Sequence, residues 1–142
     1  MFLKPQIAFP TKLLREDSAP IVLVVEDDDV SYYLIQEILT LHHVHHFRAE
    51  NGLEAIDMAS KYGHLLNAVL MDIRLPEMNG YDATRHIKGL QPSLPVIALT
   101  AFVHQHSARD SKAAGCDAYI AKPLDLKNLI DVLFSFIPLP KH

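Results

Sequence analysis

Five repeats of a short strand-like run followed by a helical pattern predict an α/β domain built on a doubly wound, five-stranded parallel sheet. Two observations carry that expectation. The runs at 21–25, 68–71 and 95–99 are apolar throughout, without the alternation of a half-exposed strand, as befits strands covered on both faces. Between the runs, apolar residues recur at helical spacing. A third observation concerns chemistry: acidic, hydroxyl and basic residues stand where these runs end, at the rim where open α/β sheets bind ligands.

Residues 1–19 hold Pro5, Pro10 and the charged patch Arg15-Glu16-Asp17-Ser18, and read as an extension or linker. The folded domain is expected over 20–138, with 139–142 as a tail. Ile21-Val22-Leu23-Val24-Val25 is the first strand and closes in Glu26-Asp27-Asp28-Asp29. A helix then runs from about Asp29, its expected N-cap, to Leu41, with Leu34, Ile35, Ile38, Leu39 and Leu41 as its apolar stripe. Val44 to Ala49 forms a second, edge strand from which no functional group is expected. Asn51-Gly52 turns into a helix carrying Leu53, Ala55, Ile56, Met58 and Ala59.

The third strand, 68–72, ends on Asp72 before a Pro76 and Asn79-Gly80 turn signal. Asp is also a favoured turn residue, so Asp72 by itself reads equally as the start of a turn. Tyr81 to Leu90 is helical, and Pro95 to Leu99 is a fourth strand stopping at Thr100-Ala101. A weaker helix over 106–114 stops at Gly115. Ala118 to Ala121 is the fifth strand, followed by Lys122-Pro123 and a last helix from about Asp125 to Phe136.

Composition excludes several classes of function. A net charge of -4 and the lack of a Lys/Arg run argue against direct nucleic-acid binding. Cys116, the single cysteine, has no internal disulfide partner and reads as a small core or loop residue. No apolar run reaches bilayer length and no secretory signal is read at the N-terminus, so the expected location is cytoplasmic. The cluster His42-His43-Val44-His45-His46 invites a metal reading. It passes, however, from a helix end into an edge strand, where neighbouring side chains point to opposite faces and do not all converge.

Taken together, Val24-Val25-Glu26-Asp27-Asp28, the segment from Leu70 to Gly80, Ala98-Leu99-Thr100-Ala101 and Tyr119-Ile120-Ala121-Lys122-Pro123 make 20–137 resemble the receiver domain of two-component phosphorelay response regulators. Gly80-Tyr81-Asp82-Ala83 and Ala113-Ala114-Gly115 are most similar to receivers of hybrid histidine kinases and single-domain regulators. The resemblance implies a flavodoxin-like strand order 2-1-3-4-5, with Asp72 as phosphoacceptor and a phosphohistidine on a kinase or histidine phosphotransfer protein as donor. Clustered acids raise one another's pKa unless a cation shares their site, and Mg²⁺ meets that need. Asp27 and Asp72 are then its direct ligands, Glu26 binds through water, and the backbone carbonyl of Arg74 is a further ligand implied by the resemblance. Glu26 stands where Asp is more usual, which adds a methylene next to the metal.

Lys122 would neutralise phosphoryl oxygens while the Thr100 hydroxyl and Ala101 amide donate hydrogen bonds. By resemblance Thr100 closes on the phosphoryl group and Tyr119 turns inward, changing the surface offered to a downstream protein or a second copy of the chain. Arg74 and Phe102 flank the entrance. Two alternatives stand beside this reading. A phosphohydrolase of the haloacid dehalogenase type also uses a strand-end Asp, but needs an acid two residues on, where this chain has Arg74. An interaction module that keeps the fold without being phosphorylated is the other.

Overall fold

The structure, a computed structural model, describes residues 19–101 and 105–138. The expected extension up to residue 18, Phe102 and the tail at 139–142 lie outside them. Strands β1 (Ile21–Val25), β2 (His45–Ala49), β3 (Ala68–Asp72), β4 (Val96–Thr100) and β5 (Ala118–Ala121) alternate with helices α1 (Asp29–Leu41), α2 (Gly52–Tyr62), α3 (Gly80–Leu90), α4 (Gln105–Ala114) and α5 (Leu126–Leu133). All strand pairs are parallel, in the order β2-β1-β3-β4-β5. The doubly wound five-stranded fold is therefore as expected.

Alternate strand residues divide the core into two layers. Leu23, Val25, Val69 and Met71 pack against Ala55, Met58 and Ala59 of α2 and Ala83 and Ile87 of α3. Val22, Val24, Ala68 and Leu70 face the other way, onto Ile35, Ile38 and Leu39 of α1 and Leu129 and Leu133 of α5. Every residue of β1, β3 and β4 is buried, which explains why their sequences lack alternation. Edge strand β2 is only partly covered.

The boundaries carry corrections. Asp28, not Asp29, caps α1: its backbone is extended and its carboxylate accepts from the Ser31 amide at 2.9 Å. Asp29 is already helical and turns its carboxylate to Arg48 instead. Val44 is a buried core residue before β2, Thr100 closes β4 rather than following it, and α3 starts at Gly80, capped by Asn79. A 3₁₀ turn, Gly63–Leu65, extends α2. The last helix stops at Leu133, and 134–137 continue as turns that still bury Ile137.

Candidate functional site

Parallel pairing in this strand order brings the ends of β1, β3, β4 and β5 to one rim. Asp72 is the last residue of β3 and only 5% exposed. Its Oδ1 accepts the Arg74 amide at 3.1 Å, and the Gly80 amide returns to the Ile73 carbonyl at 2.8 Å, so the loop folds back over the strand end. A Cβ at Gly80 would collide with the Asp72 carbonyl and lie 2.7 Å from the Ile73 Cα. Glycine is required there by this close approach.

Glu26, one residue past β1, is fully buried, while Asp27 is exposed at the mouth. Carboxylate oxygens of Glu26, Asp27 and Asp72 lie within 4.8 Å of one another. Lys122 Nζ closes the group from just past β5, 2.8 Å from Glu26 Oε1 and 3.5 Å from Asp72 Oδ2. Burial, reinforced by a hydrogen bond with Asp72, pushes the Glu26 carboxyl up to about 7 against the opposing pull of Lys122. Burial alone would lower the lysine pKa, but its contacts with Glu26 and Asp72 outweigh that and raise it. One ammonium balances one of three carboxylates. The set is all oxygen, as a hard divalent cation requires, and its donors are close enough to share one.

Thr100, 2% exposed, ends β4 beside this group, and its carbonyl accepts the Lys122 amide at 2.7 Å. Ala101 follows it at the surface. Tyr119, paired with Ala98 across the ladder, is 39% exposed. The Arg74 side chain is exposed. Thus Glu26, Asp27, Asp72, Thr100 and Lys122 come together, Arg74 and Ala101 border them, and Tyr119 sits apart on the outer strand.

The histidines disperse, as strand geometry requires. His43 adopts a positive φ of 60°, His42 packs edge-on to Phe134, and His46 Nδ1 is 3.1 Å from the Tyr32 hydroxyl. Cys116 lies partly buried 3.9 Å from the Thr84 hydroxyl, and burial pushes its thiol up to about 11.

Edge strand β2, from which no functional group is expected, nevertheless reaches this rim with one side chain. Arg48 of β2 donates from Nε to the Glu26 carbonyl at 2.9 Å, and its Nη2 stands 2.9 Å from Asp29 Oδ1. An isolated Arg in a partly covered strand reads as surface charge. No sequence signal marks its reach to the end of the neighbouring strand.

A flavodoxin-like sheet with a carboxylate trio and a lysine at its carboxyl rim defines a receiver-type signalling domain. The chain belongs to the response regulator receiver domain family, whose model matches residues 22–134. It is 34% identical over 118 residues to a polar-differentiation response regulator, DivK, of Brucella anthropi, covering 82% of this chain and 94% of that protein. Among solved structures it resembles the receiver domain of a sensor histidine kinase from Pseudomonas aeruginosa, with magnesium coordinated in the active site cleft: 31% identity, TM-score 0.76, 84% of this chain and 98% of that one. It also resembles the receiver domain of a Saccharomyces cerevisiae response regulator crystallised with a histidine phosphotransfer protein, at 25% identity and TM-score 0.76, covering 84% and 90% of the two chains. The family is one of two-component signalling regulators rather than turnover enzymes, which displaces the phosphohydrolase alternative.

Proposed function

We propose that the domain, over 20–138, takes a phosphoryl group from a partner's phosphohistidine onto Asp72 and so changes the surface it presents. The observation that carries this reading is the approach of the Glu26, Asp27 and Asp72 carboxylates within 4.8 Å, with Lys122 against two of them. An Asp72 carboxylate oxygen attacks phosphorus as the P–N bond breaks, its electron pair returning to the imidazole nitrogen, and an acyl phosphate forms. Lys122 offsets charge on the transferring group, while the Thr100 hydroxyl and Ala101 amide donate to its oxygens. Magnesium bound by Asp27, Asp72, the Arg74 carbonyl and, through water, Glu26 would supply the positive charge that lets an anionic donor approach. The donor is a histidine kinase or histidine phosphotransfer protein, a reading supported by the neighbouring receivers with bound magnesium and with a phosphotransfer partner.

The added charge and acceptor oxygens draw Thr100 inward and Tyr119 after it. A downstream protein or a second copy of the chain reads the altered surface. Cytoplasmic placement suits such donors, and no described helix is long and apolar enough to cross a membrane. Incubation with acetyl phosphate or phosphoramidate and Mg²⁺, followed by intact mass, tests the reading beside Asp72→Asn. A magnesium-dependent phosphoryl adduct absent from the variant is expected. No adduct on folded protein would overturn it in favour of an unphosphorylated interaction module.

A further inference from the structure

Arg48 holds both ends of the acidic turn between β1 and α1. Its Nε donates to the Glu26 carbonyl at 2.9 Å, while the Glu26 amide donates to the Ala49 carbonyl at 3.0 Å. Edge strand β2 thus grips Glu26 on both sides, and the carbonyl it holds belongs to the peptide plane that starts Asp27. At the other end of the turn, Nη2 lies 2.9 Å from Asp29 Oδ1, in contact as an ion pair though not aligned as a hydrogen bond. The guanidinium itself is seated: its Cζ stands 4.5 Å from the centroid of the Tyr32 ring, and the Tyr32 hydroxyl meets His46 Nδ1 at 3.1 Å. His46 and Arg48 are two apart on β2, so they share one face, the face covered by α1.

We propose that Arg48 is a positioning residue for the cation site: by fixing the Glu26–Asp27 peptide it aims the exposed Asp27 carboxylate at Asp72. This rests on the acceptor reading above. A planar fork is needed, because one group must serve a carbonyl and a carboxylate together while lying over an aromatic ring. The sign of the effect separates positioning from simple charge. A nearby cation repels Mg²⁺, so deleting the charge alone would tighten magnesium binding; loosening the turn would weaken it.

Calorimetric magnesium titration of the whole chain, Arg48→Met and Arg48→Lys, with amide hydrogen exchange at residues 26–29, tests the proposal. Both variants are expected to bind magnesium roughly 10-fold more weakly and to exchange the Asp27 and Asp28 amides faster, with β3 and β4 amides unchanged. Wild-type affinity in Arg48→Lys, or tighter binding in Arg48→Met, would show that Arg48 acts through charge alone and overturn it. Should Arg48→Met fail to fold, Arg48→Lys decides. A wild-type chain that binds no magnesium defeats the acceptor reading instead, and the exchange data still judge the hold on the turn: unchanged rates at 26–29 refute it.

Discussion

The ammonium of Lys122 lies 2.8 Å from Oε1 of Glu26, a contact between residues 96 apart in sequence. It ties the end of β5 to the end of β1 across the intervening β3 and β4. Asp72, the central acid, is reached by the same ammonium at the longer distance of 3.5 Å. The lysine is therefore held next to Asp72 by a second buried acid, Glu26.

Replacing that lysine separates two roles. Lys122→Met is expected to slow adduct formation from phosphoramidate roughly 100-fold, the scale seen when one preorganised charge-stabilising donor is lost. It also strips a buried carboxylate of its partner, which lowers metal-free stability by about 1–3 kcal/mol. Mass-resolved time courses and urea unfolding at mildly alkaline pH check the two. An unaltered rate would remove Lys122 from the transfer step, and an unaltered midpoint would mean that Glu26 does not depend on the pair.

Gly80 is tested by a single methyl group. In Gly80→Ala the new Cβ would meet the backbone of Asp72 and Ile73 rather than a flexible side-chain end, so the start of α3 must retreat. The expected cost is roughly 1–3 kcal/mol, as for overpacking elsewhere in protein cores. Because the same loop supplies the Arg74 amide to Asp72 Oδ1, adduct formation should slow as well. Equal urea midpoints for the two proteins would show that the loop yields without cost.

Much of this arrangement was legible in the residues. Unbroken apolar runs identify strands buried on both faces, and the functional groups stand at their ends because a parallel sheet puts its carboxyl ends on one rim. Finer points were decided by geometry that residue types leave open. In Asp27-Asp28-Asp29 any of the acids has cap chemistry, and only the spacing to the Ser31 amide selects Asp28. The part of Arg48 was illegible for another reason: its partners are a backbone carbonyl just past an adjacent strand, and a carboxylate and an aromatic ring on α1, and none of them leaves a local pattern.

Tyr119 offers a readout of switching. It is 39% exposed in this structure, and turning inward behind Thr100 would hide it. Tyrosine nitration with peptide mapping should label Tyr119 less after phosphoramidate and magnesium than before, with no such protection in Asp72→Asn. Thr100→Ala is expected to form the adduct yet leave Tyr119 labelled, since the hydroxyl proposed to follow the phosphoryl oxygens is gone. Equal labelling of phosphorylated and untreated protein would refute the coupling.

His46 links stability to pH. Its ring is partly buried on the α1 side of β2, with Nδ1 3.1 Å from the Tyr32 hydroxyl and Nε2 3.5 Å from the Thr40 hydroxyl. Burial, and secondarily the charge of His45, hold its pKa below the usual 6.5. The unfolded chain therefore takes up this proton at a higher pH than the folded chain does. Stability from the neutral ring is fully present above 6.5 and is lost as pH falls through the lower, folded value. Glu26 works in the opposite direction: its carboxyl is raised, so its contribution is lost as pH rises through about 7. Comparing the wild type with His46→Gln, which keeps Glu26, cancels that opposing trend. Urea midpoints measured between about pH 7.5 and about pH 5.5 should fall more steeply for the wild type than for His46→Gln. Parallel pH profiles would mean that the folded and unfolded chains protonate His46 alike, and that its ring is more open to water than its contacts with Tyr32 and Thr40 imply.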